Sequence, residues 1–247
     1  MLMSLKQMFG SPLLPRASVG LLSTLFLVAD AGAAGSHYID LRHIEPIHGD
    51  VSAGERKATL CHACHGVGAP VAPTFPRLAG QRAEYLYYRL VSFKTADPKD
   101  PYYAPSPMRP LAVNLSDTDM RDLAAYFSAQ TPTAATPPPI PTAGAEKGEA
   151  IFLAGDPQHG IPPCQGCHGA DAGGISIATG QYAAYPSLRG QSSLYLAARL
   201  TSFHKKLPHD TTNDFIMGDV ASTLDSDSIQ DVVAWLSSLS PSRILWH

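Results

Sequence analysis

Cysteine is scarce in this sequence, and its placement is uneven. Of 247 residues only four are cysteines, Cys61, Cys64, Cys164 and Cys167. None lies elsewhere, so a distributed disulfide framework is excluded. Charge is sparse too. Charged residues make up 16% of the chain and the formal net charge is −3, which lacks the basic footprint of a nucleic-acid-binding protein. Long apolar runs are missing. The most apolar stretch, Ser18–Ala29, lies between Arg16 and Asp30, whose separation leaves 13 uncharged residues. That is short of the roughly 20 needed to span a bilayer. Strand patterns are weak throughout. Methionine is rare as well: of six, only Met108, Met120 and Met217 lie beyond residue 34. The hydrophobic fraction of 45% is that of a globular protein, not a disordered one.

The first 34 residues read as a signal peptide. Lys6 and Arg16 give the positive region, Ser18–Ala29 the apolar core, and "ADAGAAG" small-residue cleavage sites. The expectation is export to the periplasm, with the mature chain beyond residue 34.

Export permits disulfides, so the two cysteine pairs, "CHACH" at 61–65 and "CQGCH" at 164–168, admit several chemistries. A Cys61–Cys64 bridge closes a loop too short to stabilise much. A redox dithiol needs neither a second copy nor a following histidine. Structural zinc usually brings its ligand pairs within about 12–20 residues, whereas these lie 103 apart. The remaining chemistry is covalent haem attachment, in which two thiols add to the two vinyl groups and the adjacent histidine, His65 or His168, binds iron.

The chain is one unit written twice. "PRLAGQRAEYLYYRLVSFK" (76–94) returns as "PSLRGQSSLYLAARLTSFH" (186–204), with Leu78, Gly80, Gln81, Tyr85, Leu86, Arg89, Leu90, Ser92 and Phe93 recurring at an offset of 110. "MRPLAVNLSDTDMRDLAAYF" (108–127) returns as "MGDVASTLDSDSIQDVVAWL" (217–236) at an offset of 109. Between the copies "TPTAATPPPIPT" (131–142) reads as a semi-rigid proline-rich linker. The expected organisation is a signal peptide at 1–34, a first domain at 35–130, the linker at 131–142 and a second domain at 143–247. Each domain should be all-α, with three main helices around its haem: about 51–64, 82–95 and 116–129 in the first, and 145–153, 193–205 and 225–239 in the second. "SDTD" at 116–119 has the form of a capping box.

An iron that only transfers electrons needs a second axial ligand. The repeat aligns Met108 with Met217, in segments read as loops before the last helix, and makes both candidates for that ligand. Met120 aligns with Ile229 and reads as core. His204, at a helix end, reads as a surface or helix-dipole residue. His62, replaced by Gln165 in the second copy, reads as a solvent-side position. A proximal histidine also needs an acceptor for its other N–H, and the backbone carbonyls of Pro76 and Pro186 are candidates. Gln81, Gln191, Tyr85, Tyr195, Arg89 and Arg199 are candidate partners of haem propionates.

Together, these two "CxxCHG…PxLxGQ…YL…RL…F…M" units, behind a signal peptide and joined by a proline-rich linker, resemble the dihaem cytochrome c4 family over about residues 49–239. The resemblance implies two covalently bound haem c groups in tandem cytochrome c folds related by a pseudo-twofold axis. It implies Cys61, Cys64, Cys164 and Cys167 as thioether sites, His65 and His168 as proximal ligands, and Met108 and Met217 as distal ones. It also implies a periplasmic electron carrier, not an enzyme. Its redox partners would be a quinol-oxidising complex or dehydrogenase as donor and a terminal oxidase as acceptor. Peripheral association with a membrane is compatible with this reading. A cytochrome subunit of a larger dehydrogenase would carry the same sites. A dihaem peroxidase would need one open iron, against which the paired methionines argue. The second copy departs from the first by an insertion before Cys164 and by a longer stretch at 169–185.

Overall fold

Short polar side chains set where the helices begin. The computed structural model describes residues 38–133, 142–175, 179–207 and 210–242; the expected signal segment and most of the linker lie outside these. In the first repeat the helices are α1 (Val51–Lys57), α2 (Thr59–His65), α3 (Ala83–Thr95), α4 (Met108–Ala112) and α5 (Asp117–Ala129). In the second they are α6 (Ala143–Ala154), α7 (Gln165–His168), α8 (Ser193–His204), α9 (Thr212–Ala221) and α10 (Ser226–Ser238). Asp50, Thr142 and Asp225 each accept a backbone N–H three residues on, at 2.9, 3.2 and 2.8 Å. Ser116 and Asp119 form the reciprocal capping box that opens α5.

The expected helix over 51–64 is two helices. Ala58 stands between them with ψ −7°, its N–H shared between Gly54 and Glu55 carbonyls, which tightens the turn. Ala58 is fully buried there. Among the described residues there is no strand, only two isolated bridges, Ile39 with Thr211 and Asp156 with Ile161. The second bridge folds the insertion before Cys164 back on itself and puts Ile161 into the core.

Each repeat has its own core. Leu86, Tyr87, Met120, Leu123 and Phe127 make the first, and Phe152, Leu196, Ile229, Trp235 and Leu236 the second. Met120 and Ile229 are both buried, as their alignment implies. In each repeat the first helix crosses the last, α1 on α5 and α6 on α10, and a glycine sits at the crossing. A Cβ on Gly54 would lie 2.1 Å from the Asp122 carbonyl oxygen, and one on Gly148 would lie 1.9 Å from that of Asp231. Backbone touches backbone, so no side chain can move aside. Beside the first crossing Lys57 reaches both Asp119 and Asp122 at 2.7 Å. Residues 35–247 form one compact unit that holds both cores.

Gly54→Ala or Gly148→Ala should therefore cost at least about 1–3 kcal/mol, the usual cost of overpacking. Denaturant unfolding of the haem-loaded protein measures it, and neutrality at both positions would contradict the close crossing.

Candidate functional site

Each CxxCH motif sits on a short helix just before a glycine that only a positive φ accommodates. α2 carries Cys61, Cys64 and His65, and α7 begins right after Cys164 and carries Cys167 and His168. Gly66 (φ 62°) and Gly169 (φ 76°) follow, and a Cβ on either would strike a carbonyl oxygen, at 1.9 and 2.6 Å. The chain therefore turns sharply after each histidine. The turn lets the "PxLxG" words return: His65 Nδ1 lies 2.9 Å from the Pro76 carbonyl oxygen and His168 Nδ1 lies 3.0 Å from that of Pro186. A carbonyl only accepts, so Nδ1 carries the proton in each ring and Nε2 is left with its lone pair. Burial pushes both imidazoles below their ordinary pKa, against a smaller opposing effect of the proline carbonyl. Both are thus neutral rings with Nε2 available, the state that binds a metal.

The four cysteines are free of disulfides. Burial pushes the Cys61 and Cys167 thiols up, and that of Cys164 to about 11. A dithiol reagent or a zinc site needs easily formed thiolates. Among the described residues, no three His, Cys, Asp or Glu side chains gather to hold a metal ion. Half-buried thiols beside a neutral imidazole suit covalent haem attachment.

The candidate distal methionines lie on helices, not in loops. Met108 is the first residue of α4, after Pro107, and Met217 is inside α9. α9 is longer because Thr211 caps it: Asp214 N–H donates to Thr211 Oγ1 at 3.0 Å, and the hydroxyl donates back to the Asp214 carboxylate at 2.7 Å. Both methionines are half-buried. His62 also differs from its expected solvent-side place. Its ring packs on Phe127 at 5.6 Å, and its Nε2 lies 3.3 Å from the Tyr126 hydroxyl. The His204 ring, at the end of α8, lies 3.0 Å from the Ala221 carbonyl oxygen.

The remaining candidates converge on one seam between the repeats. Gln81 and Gln191 have roles there that their sequence pattern does not announce. Gln81 donates to the Ser187 carbonyl at 2.9 Å and accepts from Ser187 N–H at 2.8 Å. Gln191 does the same with Arg77, at 3.1 and 2.8 Å. Arg77 and Ser187 are themselves 110 positions apart, so the two pairs of bonds are one contact repeated about a twofold axis. Each glutamine oxygen also accepts the next residue's N–H, Arg82 or Ser192, just ahead of α3 or α8. Four residues further along stands Tyr195, close to Tyr85, and burial raises its pKa well above normal.

Another four residues on come Arg89 and Arg199. Each guanidinium lies over a ring of its own helix, Phe93 at 5.2 Å and Phe203 at 4.4 Å. Burial, and then the nearby Arg89 charge, lower Arg199 to about 10. Arg89 is 3.7 Å from Asp214, both side chains nearly covered. Burial raises the pKa of Asp214. One nitrogen of each arginine, Nη1, is buried without a hydrogen-bond partner. Two cations held close together in a low-dielectric seam call for anions. Asp214 answers Arg89 Nη1 at 3.7 Å, and Arg199 Nη1, buried with no hydrogen bond, fits a haem carboxylate.

Buried neutral imidazoles beside paired thiols, repeated about a twofold axis, define a c-type cytochrome with two haem sites. The family model for cytochrome c matches residues 51–130 and 145–240. Cytochrome c4 of Pseudomonas aeruginosa is 36% identical over 90% of this chain and 97% of its own. The reduced recombinant cytochrome c4 structure from Pseudomonas stutzeri aligns with a TM-score of 0.65 at 34% identity, over 78% of this chain and 100% of that one. The thiosulfate dehydrogenase electron acceptor of Thiomonas intermedia is 33% identical over 78% of this chain and 85% of its own. This chain belongs to the cytochrome c4 family. It binds two covalent haem c groups, one per repeat.

Removing the seam amides by Gln81→Ala or Gln191→Ala should cost about 1–3 kcal/mol each, because buried backbone groups of the other repeat lose their partners. The double variant should split one unfolding transition into two. A single unshifted transition would contradict the seam.

Proposed function

We propose that this protein is a periplasmic carrier of single electrons with two six-coordinate haems, each ligated by histidine and methionine. The paired Nδ1–proline carbonyl bonds carry the reading, since they hold His65 and His168 as neutral rings presenting Nε2. Bound haem supplies a one-electron iron couple. Cys61 and Cys64 tether one haem, and Cys164 and Cys167 the other. Pro76 and Pro186 fix the proximal rings and make them better donors. Met108 and Met217 would each supply the second ligand to an iron, and a thioether in that role favours the reduced state. With both positions filled, no site is left for substrate, which separates this reading from a peroxidase. Arg89 and Arg199, with Tyr85 and Tyr195, would neutralise and orient propionates at the seam. Both sites belong to one chain, so transfer between them would be intramolecular.

The signal-like residues 1–34 support export to the periplasm. Among the described residues no helix is long and apolar enough to cross a membrane. The partners we propose are redox proteins: a quinol-oxidising complex or dehydrogenase as donor and a terminal oxidase as acceptor. The relative named as an acceptor for thiosulfate dehydrogenase supports a dehydrogenase donor.

A redox titration followed optically should show two low-spin haems, each with the weak far-red methionine–iron band when oxidised. Met108→Ala and Met217→Ala should each abolish half of that band and lower the potential of one haem alone. A high-spin haem in the unaltered protein, or peroxide turnover, would overturn the reading.

A further inference from the structure

The segment ahead of the first repeat does not pack on that repeat alone. Residues 38–42 cross to the second repeat and lie along the start of α9. Ile39 N–H donates to the Asp210 carbonyl at 2.7 Å, and Thr212 N–H donates to the Ile39 carbonyl at 3.1 Å, which makes a short parallel bridge. The Thr212 hydroxyl is a hub: it accepts from Leu41 N–H at 3.0 Å and from the Tyr38 hydroxyl at 3.2 Å, and it reaches an Asp40 carboxylate oxygen at 3.2 Å. Tyr38 meets the Phe215 ring edge-on at 5.7 Å, and Leu41 is 3% exposed. From the first repeat, the Tyr103 hydroxyl donates to Asp210 at 2.6 Å. The Asp210–Thr212 stretch is thus held from two sides by elements outside its own repeat.

The two distal segments need different support. Around Met108 stand Pro101, Pro105, Pro107 and Pro110, which fix φ and stiffen the approach. Between Asp210 and Met217 there is no proline. α9 begins instead at the residue the arm grips, and Met217 lies five residues on, a little over one turn. The arm occurs once in the chain and so breaks the symmetry of the two sites.

We propose that the arm Tyr38–Leu41 is a positioning element for the second haem. It clamps the N-terminus of α9 through Thr212 and so holds Met217 in place, while Met108 is held by its own prolines. The proposal rests on Met217 as the distal ligand. A ligand is only as well fixed as the shell that supports it.

The test uses the complete dihaem protein, oxidised, with the far-red methionine–iron band titrated by alkali. One variant replaces the arm by Tyr38→Gly, Ile39→Ser, Asp40→Gly and Leu41→Ser together, and a milder one is Thr212→Val. Met217→Ala is the reference. Losing the clamp should make displacement of Met217 about tenfold easier. Half of the band should then disappear at a lower pH than in the unaltered protein, with the other half unmoved. If Met217→Ala leaves the whole band, the ligand assignment fails. If it removes half while both arm variants titrate like the unaltered protein, or shift both halves equally, the arm proposal is overturned and the ligand stands. If the arm variant loses a haem on purification, Thr212→Val alone decides between these outcomes.

Discussion

The hydrogen bond between each proximal imidazole and a proline carbonyl organises the repeat around it. To make it, the chain must leave the CxxCH helix, reverse at a left-handed glycine, and return at the "PxLxG" word. That word ends in a second left-handed glycine, whose N–H donates to the end of the last helix, Gly80 to Phe127 and Gly190 to Leu236 at 2.9 and 2.8 Å. The last helix in turn crosses the first at Gly54 or Gly148. One bond thus links the attachment helix, the reversal and the terminal crossing. A change at any of these places reaches the ring that would face iron.

The same word also builds the seam. Gln81 and Gln191 follow the glycine directly, and positions 81, 85 and 89, with 191, 195 and 199, recur every fourth residue at the start and along one face of α3 and α8. The face that sits against the other repeat is therefore set by the local turn that positions the histidine. Amide bonds come first, then a pair of hydroxyls, then two guanidinium groups. Both arginines come from the repeated pattern, but Asp214, the carboxylate 3.7 Å from Arg89, has no acidic counterpart in the first copy at an offset of 109 or 110. The two halves share a scaffold and differ in the charge set into it.

Much of this was legible in the sequence, because duplication separates what is kept from what drifts. The helices over 82–95, 116–129, 193–205 and 225–239 lie within two residues of their expected ends, since caps such as Ser116 and Asp225 act locally. Other features were not legible. The break at Ala58 comes from packing on the core. The helical setting of Met217 comes from the Thr211–Asp214 cap and from the arm, neither of which has a counterpart in the first copy. His62 packs on α5 although its matching position is glutamine, so variation between copies did not mean exposure. The glutamines look like generic polar groups until the partner repeat is in view. Apart from the local Thr211–Asp214 cap, the missing information was long-range: His62 meets Tyr126 64 positions on, and the glutamines and the arm find partners more than 100 positions away.

The two haem sites are proposed to work as one relay within a single compact unit. Injecting a single electron into the oxidised protein by pulse radiolysis, and following each haem optically, tests it most directly. Redistribution between haems should proceed at a rate independent of protein concentration. Equilibration that scales with concentration, showing exchange only between molecules, would contradict it.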